Sequence, residues 1–142
     1  MKNLFSRLNR SRGASIIEVV VGLFLLVPLF LCIIDLSAIV LGQITNDALA
    51  KRVARAAAQQ QDAASAAAAA NTIISAFQVN GIVSNPQLVN FSFNNANNGT
   101  VIVQTRLTIT IPAPVPFVSV LQQSRDMDAK ATEPIVMLPA NP

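Results

Sequence analysis

Apolar positions in this chain follow two patterns, separated by a segment rich in alanine. From Ala14 to Leu41 they are almost continuous, interrupted in charge only by Glu18 and Asp35. That stretch covers about 28 residues, which as a helix reaches about 42 Å and is ample for a hydrocarbon core of about 30 Å. Pro28 lies inside it. A proline in such a helix predicts a bend rather than two segments, because neighbouring groups re-satisfy the carbonyl it frees.

From Asp47 to Ala70 alanine dominates, so the helix is expected to continue beyond the apolar stretch. Gln59, Gln60, Gln61 and Asp62 mark a place for a break, Ile73, Ile74 and Phe77 extend an apolar stripe at helical spacing, and Gly81 supplies a stop. The period then changes to two. Val89, Phe91 and Phe93 alternate with Asn90 and Ser92; a turn-rich run follows from Asn94 to Gly99. Val101, Val103, Thr105, Leu107, Ile109 and Ile111 form the next alternating series, with Ile102, Gln104, Arg106, Thr108 and Thr110 on its other face. This is a β-hairpin with one packed face, and a helix must cover that face. Pro112, Pro114 and Pro116 end the strand, and Phe117, Val118, Val120 and Leu121 make a short apolar patch. Met127, Ala129 and Ala131 alternate with Asp126, Asp128, Lys130 and Thr132 as a third antiparallel strand, which Pro134 stops before a loose tail. The fold class expected is α+β. Residues 14–41 form a transmembrane helix, 42–80 an exported alanine-rich helix, and 81–142 a small antiparallel sheet region with a proline-rich loop.

Composition narrows the function. Of the residues, 52% are hydrophobic and 12% charged, with mean hydropathy +0.50, too apolar for an ordinary water-soluble domain. The formal charge of +3 looks basic, but Lys2, Arg7, Arg10 and Arg12 are four of the ten cations and no acid stands among them. Without residues 1–13, six cations face seven acids, a net of −1. The basicity belongs to the first thirteen residues and not to a nucleic-acid surface. Their position before the apolar run predicts a cytoplasmic N-terminus and an exported remainder. With no histidine, a Ser-His hydrolase is excluded, and no phosphate-binding loop is present. No enzymatic activity and no cofactor is expected. Cys32 reads as a small apolar filler. Asp126, Asp128 and Glu133 fall well short of a calcium shell and fit a solvated strand face.

Glu18 is the informative residue. A carboxylate in hydrocarbon costs about 2.5 to 3.5 kcal/mol even on insertion scales, so its place near the start of the apolar run demands a partner or a purpose. A secretory signal peptide would explain the basic start, but the run exceeds the usual core of about 7 to 15 residues, carries Glu18 and lacks a clear small-x-small cleavage site. A lipoprotein site at Cys32 fails because Leu31 precedes it. Asp35 near the far end could meet a partner subunit or sit hydrated at the membrane surface.

The basic leader, Gly13 followed five positions later by Glu18, the membrane helix with Val27 and Pro28, the alanine-rich helix with Arg52 and Arg55, the series Val101 to Ile111 running into Pro112, and the ending from Asp126 through Glu133 to Pro134 resemble, over nearly the whole chain, the TadE-like minor pilins (pseudopilins) of the tight-adherence branch of type IV pilus systems. Val19 stands where an aromatic residue often follows the glutamate in that family. The resemblance implies a type IV pilin-like fold in the bacterial inner membrane with a periplasmic C-terminal domain. It implies cleavage by a prepilin peptidase between Gly13 and Ala14, usually followed by methylation of the new amino group. Gly13 suits such a site because a residue without a side chain lets extended backbone enter a narrow cleft. Lys2, Arg7, Arg10 and Arg12 would hold the leader at the anionic cytoplasmic surface, each contributing about 1 kcal/mol. Glu18 would neutralise an α-ammonium group, its own or a neighbouring subunit's, during assembly. The partners implied are the peptidase, other minor and major pilins of the system and an inner-membrane assembly platform. The alternative is an uncleaved signal anchor carrying an envelope binding module.

Overall fold

The structure is a computed structural model and describes residues 3–95, 99–112 and 124–136, with the side chains of the first helix described from Ser15 onward. The middle of the turn before the second strand, the Phe117 to Leu121 patch with Pro114 and Pro116, and the tail beyond 136 lie outside the described residues. The elements are α1 (Asn3–Ala58), α2 (Ala63–Ser75), β1 (Val83–Asn94), β2 (Thr100–Thr110) and β3 (Ser124–Pro134). The layout is α+β: one long helix, apolar in its N-terminal half, and a three-stranded antiparallel sheet of order β1-β2-β3.

α1 runs for 56 residues through Pro28 without interruption and ends at Ala58. Asp62 then starts α2 as its N-cap: its carboxylate accepts from the Ser65 N–H at 2.8 Å and from the Ser65 hydroxyl at 2.8 Å. A side-chain acceptor at this position satisfies an amide that the helix leaves unbonded, and an anion there complements the helix dipole. α2 stops at Ser75, short of the expected stop at Gly81. The reason is local. Asn80 accepts from the N–H groups of Ile82 and Val83 at 2.9 and 2.7 Å and turns the chain directly into β1.

β1 therefore begins six residues before Val89 and contains Pro86, which an edge strand tolerates because its outer side has no ladder to supply. Its register with β2 shifts twice, between Ser84 and Gln87 and between Leu88 and Asn90. The first shift includes Asn85 at φ 52°, a left-handed conformation that asparagine accepts more readily than most residues. The second reverses the expected facing of Val89, which is exposed, while Leu88 packs on the core with Phe91 and Phe93. An extra residue in one strand flips what precedes it to the other face. β2 is regular: Val101, Val103, Thr105, Leu107 and Ile109 are all buried, and their neighbours face outward.

The core lies between that face and α1. Leu49, Ala50, Val53, Ala54, Ala57 and Ala58 of α1 meet Ala66 and Ala70 of α2, with Val101, Val103, Leu107, Ala129 and Ala131 from the sheet. The alanines let the two helices and the sheet approach closely, so little apolar volume fills the space. Gly42 does the same farther down. A Cβ there would overlap Ile109 Cδ1 and lie 2.6 Å from its Cγ1.

Candidate functional site

The chain's chemistry is strung along α1. Gly13 and Ala14 lie within the helical backbone, so the expected processing bond is not extended in the uncut chain. Lys2 lies outside the described residues, and Arg7, Arg10 and Arg12 occupy the first turns of α1 with side chains outside those described. Glu18 is exposed and makes no hydrogen bond or ion pair among the described residues. Around it the helix has no protein covering. The large apolar side chains from Ile16 to Phe30 are between 48% and 78% exposed, which fits a lipid surrounding and no water-facing role. α1 is long and apolar enough to cross a membrane.

Protein contact begins one turn above Pro28. Leu31, Cys32 and Ile39 pack on Ile111, where the chain leaves β2. From here one face of α1 is buried at helical spacing through Asp35, Ala38, Gly42, Asn46, Leu49, Val53 and Ala57. Two of those residues are polar. Asn46 donates from Nδ2 to the Met127 carbonyl at 2.6 Å and accepts at Oδ1 from the buried Thr105 hydroxyl at 2.7 Å, so helix, β2 and β3 are tied at one point. Asn46 was detectable as the lone amide on a stripe that is apolar from Ala38 to Ala57 apart from it. Asp35 is its opposite: it is fully buried, and neither carboxylate oxygen has a hydrogen-bond partner among the described residues. Of the two readings of Asp35, a hydrated acid at the membrane surface does not fit this burial, and the meeting with a partner subunit is the one left standing. Three helical turns, at about 3.6 residues each, separate it from Asn46, and that places both on the sheet-facing stripe.

The opposite side of α1 stays apolar and open over the same length. Leu36, Val40, Leu41 and Ile44 are each 56–59% exposed while the sheet covers their back.

Several other charged groups brace the sheet. Arg106 grips Asp128 through Nε at 2.6 Å and Nη2 at 2.9 Å, and Gln104 adds a bond at 3.3 Å. The Arg106 hydrogen bonds, with its charge, hold the Asp128 carboxyl below its usual range, and Asp128 raises Arg106. Asp126 accepts from Thr108 at 2.8 Å, and Glu133 meets Arg55 at 3.3 Å. Asp126 and Asp128 lie on the outer face of β3, whereas the half-buried Glu133 lies on the helix-facing side with Ala129 and Ala131 and reaches Arg55 of α1, so the three acids do not share the one solvated face expected of them. Among the described residues no group of three His, Cys, Asp or Glu could hold a metal ion. A surface groove of about 420 Å³ between α1 and the end of α2 is lined by Leu49, Arg52, Ile73, Ala76, Phe77 and Gln78; it offers one cation and no acid-base pair. No known protein family, curated protein or solved structure matches the chain.

Proposed function

We propose that the chain is a processed minor pilin of the tight-adherence type, cut after Gly13 and used through α1 in assembling, priming or capping an adhesive pilus. What carries this reading is the length of the open apolar face of α1. From Arg12 to Ile44 the helix rises about 48 Å, against a hydrocarbon core of about 30 Å. Even a tilt of about 40°, the extreme for single helices, accommodates only about 39 Å. Leu36, Val40, Leu41 and Ile44 thus offer a flank longer than an anchor requires, and another apolar helix would cover it. The Gly13 to Glu18 junction supplies the means of release and registration. Gly13 eases local unwinding at the processing bond, since glycine is about 1 kcal/mol less favourable in a helix than alanine, and cleavage there leaves Glu18 four residues from a new ammonium group.

The test is the mass of the membrane-extracted protein, with N-terminal sequencing. Ala14 should be the first residue, carrying a methyl group, and a chain that retains Met1 through Gly13 overturns the processing claim. Glu18→Ala should leave cleavage intact and reduce adherence and pilus assembly. The competing reading, an uncleaved anchor that presents a binding domain, draws on the groove beside Arg52 and predicts the full-length mass instead.

A further inference from the structure

We infer that Asp35 is a docking acid for a basic side chain carried by the membrane helix of a partner protein. The inference rests on α1 spanning the membrane, and not on cleavage after Gly13. Its starting point is the contrast on one helix face: Asn46 finds both a donor and an acceptor on the sheet, whereas the Asp35 carboxylate is as fully buried and has neither among the described residues. An ionised group held this way is costly, and leaving it unpaired is what makes truncated ion pairs so destabilising. A fold that keeps such a group without internal compensation is not using it for stability.

The surroundings define the ligand. Leu31, Cys32, Ala38 and Ile39 flank Asp35 at one helical turn on either side, and Ile111 packs against three of them. That shell contributes no oxygen ligands, so a metal ion, which wants six or more, is a poor fit. A single ammonium or guanidinium matches a single carboxylate. Among the described residues the chain does not bring its own. Lys51 lies about 24 Å up the helix, by its 16-residue separation, and Arg125, opposite Ile109 on the sheet, is exposed and makes no ion pair among the described residues. Asp35 itself rises about 34 Å from Arg12, which sets it at the far boundary of the hydrocarbon core. A lysine or arginine near the end of a membrane helix extends its charge to that same level.

Access comes from the way the sheet ends. The β2–β3 ladder stops at the Thr110 and Ser124 pair, and Pro112 has no N–H to continue it. Beyond the Thr110 N–H bond to the Ile82 carbonyl at 2.7 Å, the contacts of Ile111 with α1 among the described residues are apolar. This lower seam can part for an entering side chain while the Asn46 tie keeps the sheet seated.

The experiment reconstitutes the full chain in phosphatidylcholine vesicles with a synthetic 22-residue leucine-based helix bearing one lysine near its outer end, and reads association by energy transfer. The lysine helix should associate about tenfold more tightly than its all-leucine counterpart, the range that polar interhelical contacts reach in lipid. Asp35→Asn should abolish that difference while retaining the basal association. Equal binding of the two helices to the inserted wild type overturns the assignment. Resistance of the chain to alkaline extraction is read in the same vesicles. An extractable chain defeats both the membrane reading and the docking acid, whereas an inserted chain blind to the lysine defeats the docking acid alone. Thermal unfolding in detergent gives the second arm: Asp35→Asn and Asp35→Leu should unfold at the same or a higher temperature than wild type. Parallel losses in Asp35→Asn and Arg125→Gln would show an internal partner and overturn the proposal.

Discussion

The two halves of α1 belong to one continuous helix and have opposite obligations. Above Ala38 the helix is committed on one face: Leu49, Ala50, Val53 and Ala54 are buried, Gly42 is pressed against Ile109, and the buried polar atoms of Asn46 are bonded to two strands. Below Leu31 no side chain among the described residues is buried, Gly22 has nothing within 4 Å of where a Cβ would stand, and Glu18 has no partner among those residues. A stripe that a sheet covers must satisfy shape and hydrogen bonding at each turn. A stripe that lipid or another helix covers need only be apolar. Asp35 sits at the junction, buried like the upper half and unsatisfied like the lower.

The comparison is broken most severely in the core. Leu107→Ala empties a fully buried site beneath α1 and should lower stability by about 2 to 5 kcal/mol, measured by thermal or denaturant unfolding of the full chain in detergent. Leu25→Ala, the same truncation on the open half, should leave the midpoint within error; an equal loss would mean that the lower half is packed after all. Glycine gives a finer version. Gly42→Ala gains about 1 kcal/mol of helix propensity but forces Ile109, itself fully buried, to move, at a cost of about 1 to 3 kcal/mol. Overpacking should win, and the variant should melt lower than wild type. Gly22→Ala carries the propensity gain without the clash, so it should not melt lower. A stabilising Gly42→Ala would show that α1 and β2 sit farther apart than described.

Much of the fold was legible because each element has a clean period. The β2 series was read residue by residue, since every second side chain from Val101 to Ile109 is buried under a helix. The β1 reading failed at Val89 because a bulge leaves no trace in a period-two pattern until the partner strand fixes register. α2 ended early because the Asn80 side chain, and not the glycine after it, organises the turn. For the candidate site, the order of leader, Gly13 and Glu18 is visible in residue types alone. Asp35 was not, because burial of an acid depends on where Ile111 lands on Leu31, Cys32 and Ile39 around it, contacts across 72 to 80 positions that no local pattern encodes.

The smallest effect expected is the response to acid, and it belongs to the upper region. Asp62 is held below its ordinary value first by the Ser65 N–H and then by the Ser65 hydroxyl, and Asp128 first by its hydrogen bonds from Arg106. A carboxyl whose folded value lies below its unfolded one lends stability above the unfolded value, near pH 4, and loses it as pH falls toward the folded value. Stability should therefore be level from pH 7 to about 5 and decline below about 4. The two acids should separate by salt. The Asp128–Arg106 pair is partly exposed, so added salt screens it, whereas Asp62 is held by neutral donors and responds little. Asp62→Asn keeps a competent N-cap while removing the charge, so it should retain most of the neutral-pH stability and flatten the acid limb. Asp128→Asn should flatten the remainder in low salt and change less in high salt. An acid limb that persists in the double variant would place its origin outside these two sites and erase the assignment of acid sensitivity to the sheet-covered part of the chain.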